Sequence, residues 1–330
     1  MSGTGTARTA IVCFGEALVD FLARPPSQRG EPRHFVEYAG GAPANVAVAV
    51  TRLGGMGRFV GMLGQDMFGD MLAAQLRDAT VDTRWIRRTA AAKTALAFVS
   101  LDAQGERSFS FYRPPAADLL FRDADFDPVC FDDAAVFHVC SNSLTEDAIA
   151  DATFAGMRRA RAAGALVSMD LNLRPALWPD GVDPLPRLWQ ALAEADLVKL
   201  CRSELDVLAR DDGADAALQR LLDGRTQCVV VTNGAAPIHW LTRTRQGVIS
   251  TFVVGAIDTT AAGDAFVGAW LQALVTGGLA RDDAAAFFEQ AALDQPLRFA
   301  AAAGALATTR HGAFAAMPTR PDVERLLGAR

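Results

Sequence analysis

The chain has 330 residues, of which 51% are hydrophobic and 21% charged, so it can bury a sizeable core and does not have the composition of a disordered protein. Its formal net charge of -6 argues against a nucleic-acid-binding protein, which would usually present a basic face. No apolar run reaches the roughly 18 residues of a membrane span, and the five cysteines form no CxxC pair, which is typical of reduced thiols in a cytoplasmic protein.

Short apolar strands alternate with helical segments along most of the chain. Residues 11–14 and 58–63 have the composition of buried strands, and residues 43–53 that of a helix, with proline near its start and two glycines after its end. Further strands are predicted at 134–140, 165–170, 196–200, 227–232 and 249–254, and further helices at 68–77, 145–163, 185–193, 203–210, 263–276 and 296–309. The alternation indicates repeated βαβ units.

Such units predict an α/β fold with a central, mostly parallel sheet covered by helices on both faces. We treat residues 1–330 as a single domain. Ligands of these sheets bind beyond the carboxyl ends of the strands. Polar residues that directly follow a strand are therefore the candidates for chemistry.

Two stretches, at about 19–39 and 94–113, break the alternation because their strand patterns are not separated by helices. The second has alternating polar and apolar residues around a turn predicted at 103–106. We predict that both belong to a small antiparallel lid sheet beside the main sheet. One apolar face of that sheet would be exposed, which favours pairing with another chain.

The most informative segment, 258–266, reads DTTAAGDAF and opens a predicted helix. Small residues at Ala261, Ala262 and Gly263 allow close approach of the main chain to a ligand, and N–H groups at a helix start can hold an anion. We expect Asp264 to stay ionised among these donors and so to be able to accept a proton from a hydroxyl group. The alternative is an ordinary helix start with Asp264 as its first-turn acid.

A second group of candidates lies near the first strand. Gly40 and Gly41 predict a tight turn into a helix, and Asn45 offers both a donor and an acceptor to sugar hydroxyls. Asp20 could accept hydrogen bonds from two hydroxyls. The alternative for Asp20 is a turn residue at the base of the lid.

A third group follows two later strands. Asn172 and Arg174 come directly after the strand at 165–170, and Lys199 and Glu204 lie at the end of the strand at 196–200 and just beyond it. Each has an ordinary alternative: an exposed arginine in a turn, a lysine at a strand end, or a carboxylate at a helix start.

These strings resemble the signatures of the ribokinase/PfkB family of carbohydrate kinases, and within it the fructokinases. DTTAAGD is similar to DTxGAGD, with Ala261 in place of the first glycine; GGAPAN is similar to GGxxxN; and DLNLRPALW is similar to DxNxRxxLW. The resemblance implies transfer of the γ-phosphoryl group of ATP to a sugar primary hydroxyl, which we expect to be O6 of D-fructose.

The resemblance also implies roles for individual residues. Asp264 would be the catalytic base, with the amides of Ala261, Ala262 and Gly263 around the phosphoryl group. The sugar would contact Asp20, Gly40, Gly41, Asn45, Arg113, Asn172 and Arg174. ATP would contact Lys199, Thr232, Asn233, Gly234, Gly263 and Gly312. Glu204 would act on Mg²⁺ through water, and Asp258 and Thr260 would lie near a monovalent cation such as K⁺.

Other functions stay open at this point. A 2-keto-3-deoxygluconate kinase, a ribose kinase or a nucleoside kinase would share the same framework, and a non-catalytic sugar-sensing relative would share the fold. We expect a cytoplasmic protein that binds a sugar and ATP, pairs with a second copy through the lid, and binds neither nucleic acid nor membrane.

Overall fold

The computed structural model of the chain describes residues 8–24, 32–101 and 107–329. The turn predicted at 103–106 and the stretch at 25–31 inside the first lid segment lie outside the described residues. No helix of the described residues is both long and apolar enough to cross a membrane.

Strands and helices follow one another as the sequence pattern predicts. The strands are β1 (Ala10–Phe14), β2 (Leu18–Arg24), β3 (His34–Gly40), β4 (Met56–Gly64), β5 (Ile86–Thr89), β6 (Leu96–Leu101), β7 (Arg107–Tyr112), β8 (Ala134–Cys140), β9 (Leu166–Asp170), β10 (Leu197–Cys201), β11 (Cys228–Asn233), β12 (Ala236–Thr242) and β13 (Gln246–Ile249). The helices are α1 (Ala42–Arg52), α2 (Met67–Asp78), α3 (Asp147–Ala162), α4 (Leu185–Leu192), α5 (Arg202–Leu208), α6 (Ala214–Asp223), α7 (Ala262–Thr276), α8 (Ala284–Gln290), α9 (Asp294–Ala307) and α10 (Arg320–Gly328).

The main sheet has nine strands in the order β13-β12-β11-β10-β9-β8-β1-β4-β5. The strands from β5 to β11 in that order all pair in parallel. Only the edge strands β12 and β13 run antiparallel to their neighbours. This mostly parallel sheet confirms the predicted fold class.

Two hydrophobic cores, one on each face of the sheet, hold the helices in place. Ile11 and Cys13 of β1 point into the core that contains residues of α1, α7 and α9. Val12 and Phe14 point into the other core, with residues of α3, α4 and α6. Because successive side chains of a strand point to opposite faces, a continuous apolar strand needs helices on both sides.

A second sheet of four strands, in the order β3-β2-β6-β7, lies in the stretches assigned to the lid. Its outer pairs are antiparallel, whereas β2 and β6 pair in parallel. The parallel pair arises because a long segment with α1, β4 and α2 separates these strands in sequence. The sheet is therefore antiparallel at both edges and parallel in the middle.

One predicted strand is wrong. Residues 249–254 were expected to pair, but β13 ends at Ile249 and the following residues form no strand. Phe252 is buried and Val253 is 96% exposed, so the segment keeps the alternation of a strand although it belongs to neither sheet. The edge hairpin of β12 and β13 was not predicted, because its strands mix exposed and buried residues.

Candidate active site

Main-chain donors and a lysine meet at the first turn of α7. Ala261, the residue that precedes the helix, has φ 60°, in the left-handed region. The first N–H groups of a helix have no acceptor within it, so they are available to an anion. The Nζ atom of Lys199 lies 3.1 Å from the position that a Cβ atom on Gly263 would take. The glycine therefore lets a positive charge lie close to the turn.

Asp264 lies in the same turn and is 8% exposed. Its Oδ2 atom accepts a hydrogen bond of 2.7 Å from Nδ2 of Asn45. Burial raises the pKa of Asp264 to about 7; Asp170 adds to the rise, and the Asn45 bond and Lys199 oppose it. The expectation of a fully ionised aspartate is wrong, because desolvation outweighs the Asn45 hydrogen bond and the positive charges of Lys199 and Arg174. The group instead changes its protonation state near neutral pH.

The start of α1 fixes the position of Asn45. Gly41 has φ 104°, and a Cβ atom there would come 2.6 Å from the main-chain oxygen of Glu16. The side chain of Glu16 accepts a 3.2 Å hydrogen bond from the N–H group of Ala42. The glycine turn and this carboxylate together place the first turn of α1 against Asp264.

Asp20 lies at the base of the small sheet, opposite Gly40. A Cβ atom on Gly40 would lie 2.3 Å from Oδ2 of Asp20, so only glycine leaves room for this carboxylate. Asp20 is half-buried. The arrangement presents a carboxylate where the small sheet joins the main one.

Arg113, which was predicted to contact the sugar, belongs to a buried hydrogen-bond network that the prediction did not include. Its Nε atom donates to Asp118 at 2.7 Å, and its Nη2 atom donates to the main-chain oxygen of Asn142 at 2.9 Å. The Nδ2 atom of Asn142 donates in turn to Glu16 at 2.9 Å. Arg113 is 4% exposed. In this structure it connects the end of the small sheet to the turn before α1.

A buried ion pair joins the ends of β9 and β10. Nζ of Lys199 donates to both carboxylate oxygens of Asp170, at 3.0 and 2.9 Å. The lysine side chain is 7% exposed and the aspartate side chain 3%. Sequence reasoning selected Lys199 but not Asp170.

Asn172 and Arg174 follow this pair in the loop after β9. Asn172 is buried and has φ 39°, a left-handed conformation that asparagine tolerates better than most residues. Arg174 is exposed, yet its charge is near enough to lower the pKa of Asp264. The loop therefore carries one buried amide and one exposed cation toward the end of the sheet.

Glu204 holds two main-chain N–H groups. One carboxylate oxygen accepts from Leu173 at 2.8 Å and the other from Cys201 at 2.7 Å. The second bond belongs to a capping box at the start of α5. The helix-start role that the sequence left open is thus present, and it ties α5 to the loop after β9.

The loop before α7 is tied to the C-terminal part of the chain. Asp258 accepts hydrogen bonds from the N–H groups of Thr260, at 2.8 Å, and Gly312, at 3.1 Å. A Cβ atom on Gly312 would lie 2.4 Å from Cδ1 of Tyr38 on β3. These contacts bring the turn before α7, the C-terminal loop and the small sheet together.

The predicted nucleotide turn lies at the end of β11. Thr232 and Asn233 end the strand, and Gly234 follows with φ 54°. Thr232 is paired with Cys201 of β10, so this turn is beside the start of α5. All the predicted contacts thus lie at or near the carboxyl ends of the parallel strands, except those on the small sheet and the C-terminal loop.

An open surface cavity of about 570 Å³ lies elsewhere. It is lined by residues of α6, β12 and the turn to β13, among them Gln219 and Arg243. None of the predicted site residues lines it. We therefore assign the chemistry to the carboxyl end of the main sheet and not to this cavity.

Sequence reasoning missed Asp170 and Asn142 as parts of the site, and it placed Glu16 near the sugar pocket without giving it a role. Two signals pointed toward the first: Asp170 is the last residue of a predicted strand, and Lys199 is one of only two lysines in the sequence. Their contact depends on the pairing of β9 with β10, which the sequence does not specify. Glu16 and Asn142 meet across strands that are still farther apart in sequence.

Comparisons with known proteins agree with this geometry. The family pattern described as pfkB family carbohydrate kinase matches residues 8–320. Fructokinase-1 of Oryza sativa subsp. japonica is 41% identical over 322 residues, which are 96% of this chain and 97% of the relative. The similarity extends over nearly the whole of both chains.

Two crystal structures extend the comparison to the fold. Fructokinase from Xylella fastidiosa with bound ATP has a TM-score of 0.93 and 54% identity, over 98% of this chain and 99% of that one. A double mutant of fructokinase from Vibrio cholerae O395, in a form with bound fructose, ADP and potassium, has a TM-score of 0.86 and 32% identity, over 97% and 99% of the two chains. Both similarities extend over nearly the whole of each chain.

Proposed function

Because the chain belongs to the pfkB family of carbohydrate kinases, we propose that it transfers the γ-phosphoryl group of ATP to O6 of D-fructose. The observation that carries the proposal is the buried Asp264 in the first turn of α7, beside main-chain donors and the Lys199 ammonium group. Fructose is favoured because the relatives in rice, Xylella and Vibrio are named fructokinase and the Vibrio protein is described with fructose and ADP bound.

Proton transfer is the task of Asp264. Asn45 holds one carboxylate oxygen, Oδ2, and thereby orients the other toward the substrate. As the fructose hydroxyl oxygen bonds to the γ-phosphorus and the bond to the ADP oxygen breaks, the hydroxyl proton passes to Asp264. Water then takes the proton from Asp264 after the products leave.

Charge on the moving phosphoryl group is stabilised by fixed donors. We propose that these donors are the N–H groups of residues 261–264 at the start of α7, with the ammonium group of Lys199 next to them. In this structure the N–H group of Ala262 donates to the main-chain oxygen of Thr259 at 3.4 Å. Donors that are already in place need no reorganisation during the reaction, which is why such sites contribute strongly to catalysis. The exposed guanidinium group of Arg174 adds a positive charge near Asp264.

Magnesium fits this site mainly as an ion held by the nucleotide. Within residues 8–24, 32–101 and 107–329, no cluster of three or more His, Cys, Asp or Glu side chains could hold a metal. Both oxygens of Glu204 already accept main-chain hydrogen bonds, so we propose that it contacts hydrated Mg²⁺ through water. Bound to the phosphates, Mg²⁺ would neutralise part of their negative charge.

We further propose a monovalent cation, such as K⁺, near Asp258 and Thr260. The carboxylate of Asp258 is buried, and it fixes the loop whose carbonyl oxygens precede α7. A carboxylate with nearby carbonyl oxygens is a suitable set of ligands for a hard cation. A cation there would stabilise the turn that binds phosphate.

The two substrates are proposed to bind from opposite sides of Asp264. Asp20, Gly40, Asn45 and Asn172 line the fructose side. Thr232, Asn233, Gly234 and Gly312 line the nucleotide side, with Lys199 and Gly263 at the phosphates. The small sheet, joined to the main sheet at Asp20, would close over fructose and exclude water, which limits hydrolysis of ATP.

We propose that two copies of the chain pair through their small sheets. One face of the sheet carries the rings of Phe21, Phe35, Phe98 and Tyr112, with Phe98 in ring contact with the other three. Phe35 is 42% exposed and Tyr112 66%, so apolar rings remain open to water. Light scattering should give a dimer mass that Phe35→Ser with Tyr112→Ser lowers to a monomer, while the exposed Val129→Ser has no effect. A monomeric wild-type protein would exclude this interface.

The compartment proposed for the protein is the cytoplasm. The five cysteines are all free, and four of them are buried. Free thiols in this number are typical of a reducing compartment.

A sugar panel with coupled detection of ADP tests the function. We expect the highest kcat/KM with D-fructose, lower values with ribose and 2-keto-3-deoxygluconate, and none with adenosine or inosine. Preference for a nucleoside would assign the chain to a different kinase class. Binding of fructose in calorimetry without release of ADP would make it a sugar sensor.

A further inference from the structure

The ion pair of Asp170 and Lys199 occupies an unusual place in the sheet. Asp170, the last residue of β9, is the register partner of Lys199, the middle residue of β10. Among the described residues, the carboxylate of Asp170 receives side-chain hydrogen bonds only from Lys199. The ammonium group therefore has its position set by one carboxylate.

Stability is a poor reason for this pair. Removing two charges from water costs several kcal/mol per ion, and the attraction between them often does no more than offset that cost. The neighbouring positions Val198 and Leu200 on β10 show what a buried strand otherwise contains. An apolar pair would satisfy packing equally well, so the charges call for another explanation.

Geometry connects the pair to the reacting group. Nζ of Lys199 lies 3.1 Å from the Cβ position at Gly263, and the next residue is Asp264. The two charges act on Asp264 in opposite directions: Asp170 raises its pKa and Lys199 lowers it. The pair thus delivers a positive charge to the phosphate-binding turn, while the charge of Asp170 opposes the effect of that charge on the base.

We propose that Asp170 is a positioning residue for phosphoryl transfer, which holds the Lys199 ammonium group beneath the first turn of α7 and balances its charge beside Asp264. The inference rests on the proposed function, since it assigns the ammonium group to the transferred phosphoryl group. Without Asp170 the lysine would lose its fixed position, and a shift of about 1 Å in a catalytic group can cost on the order of 100-fold in rate.

The groups that face Asp264 define how its titration should respond. They are Asn45 from α1, Cys140 from β8, Asp170 from β9, Lys199 from β10 and Arg174 from the loop after β9. Removing the negative charge of Asp170 lowers the pKa of Asp264, so the acidic limb of the pH profile of kcat/KM moves to lower pH. Removing the positive charge of Lys199 moves the same limb to higher pH.

Four variants test the proposal: Asp170→Asn, Lys199→Met, the double variant, and Asp196→Asn as a control. Asp196 is a buried carboxylate directly before β10, at the opposite end of the sheet, and it accepts a main-chain bond from Val167 at 2.8 Å. We expect Asp170→Asn to lower kcat about 10- to 100-fold with KM for fructose changed less than about threefold. Asp196→Asn should change neither kcat nor the pH profile.

The double variant separates positioning from simple structural support. If Asp170 acts through Lys199, the double variant has no lower kcat than Lys199→Met alone, because the two losses are not independent. Its acidic limb should also return toward that of the wild type, since both opposing charges are gone. Multiplied losses of kcat, or an acidic limb that stays where Lys199→Met put it, would overturn the proposal.

Failure of this proposal and failure of the proposed function can be told apart. Wild-type turnover of fructose tests that function directly, and if another sugar is the better substrate, the same four variants are compared with that sugar. Should Asp170→Asn fail to fold, the comparison of Lys199→Met with the double variant, which carries no buried charge at either position, still distinguishes positioning from structural support.

Discussion

Charged groups are buried at both ends of the parallel strands, but their partners differ. At the amino end, Asp196 accepts a hydrogen bond from the main-chain N–H group of Val167. At the same end, Arg58 of β4 forms ion pairs with Asp82 and Asp133. At the carboxyl end, Asp264 contacts the side chain of Asn45 from a distant helix.

The difference shows what each end is for. Bonds to the main chain and to nearby loops fix the path of the polypeptide and can be replaced by other packing. Side chains that meet from α1, β9, β10 and α7 define a chemical environment instead. Burial raises the pKa of Asp264 and also that of Asp196, so the direction of the shift does not distinguish the two ends; the side chains that meet at Asp264 do.

The largest expected effect is on the reaction at the carboxyl end. Asp264→Asn should lower kcat about 100-fold or more, since a general base contributes about 10²–10⁴ to the rate. ADP release under saturating fructose and ATP measures it, with Asp196→Asn as the matched control at the amino end, expected within about twofold of wild type. Near wild-type turnover of Asp264→Asn would mean that Asp264 is not the catalytic base and that the carboxyl end is no more important for turnover than the amino end.

The same variant should become more stable while it loses activity. Asp264 has a pKa of about 7 in the folded protein and 3.8 as its ordinary value, so its burial favours the neutral form. The folded state is therefore penalised as pH rises from about 4 to about 7. Thermal unfolding of Asp264→Asn should show a gain over wild type that grows across this range and then stays constant. A loss of stability at pH 8 would show that the carboxylate contributes to the fold.

The next effect concerns stability at the amino end. Arg58→Met removes the buried partner of Asp133 and Asp82, whose side chains are 33% and 23% exposed, while Asp82 keeps its pair with Arg84. The cost should therefore lie below that of a fully buried pair, at about 1–3 kcal/mol. We expect a loss of this size in urea unfolding, with kcat of the remaining folded enzyme unchanged. A large fall in kcat at full folding would mean that this end also contributes to the chemistry.

A smaller effect concerns the pH profile of the wild type. Because the pKa of Asp264 is about 7, kcat/KM should decrease about tenfold per pH unit well below that value. Asn45→Ala removes a hydrogen bond that lowers this pKa, so its acidic limb should lie at higher pH. Rates measured from pH 5 to pH 9 show both effects. An unchanged acidic limb in Asn45→Ala would show that the Asn45 amide does not affect the pKa of Asp264.

The smallest effect concerns backbone strain. Ala261 and Thr80 both have left-handed φ values, 60° and 61°, a conformation that is unfavourable for residues with a Cβ atom. Substituting Ala261→Gly should raise the free energy of unfolding by less than about 1 kcal/mol, and Thr80→Gly should raise it more because threonine is β-branched. Chemical denaturation compares the two. A destabilised Ala261→Gly would show that the alanine methyl group makes contacts that outweigh its strain.

The fold was predictable because its strands are buried on both faces and therefore form continuous apolar runs. The strand at 134–140 was predicted with the bounds that the structure has. The segment at 258–266 was also recognisable, since its small residues and its aspartate lie within one helix start. Local patterns of this kind need no knowledge of long-range pairing.

What the sequence did not show depends on long-range pairing or on burial. The contact of Asp170 with Lys199 requires the pairing of β9 with β10. The buried network of Arg113 joins Asp118, in the segment after β7, to the main-chain oxygen of Asn142, in the turn after β8. The raised pKa of Asp264 follows from its depth in the folded protein, which no spacing of residues reveals.

The most direct test is a crystal structure of the protein with D-fructose and a non-hydrolysable ATP analogue. The account predicts a carboxylate oxygen of Asp264 within about 3 Å of O6 of fructose, a distance at which a base can take the proton. It also predicts the γ-phosphate at the first turn of α7. Fructose bound with O6 beyond hydrogen-bond reach of Asp264 would contradict the account.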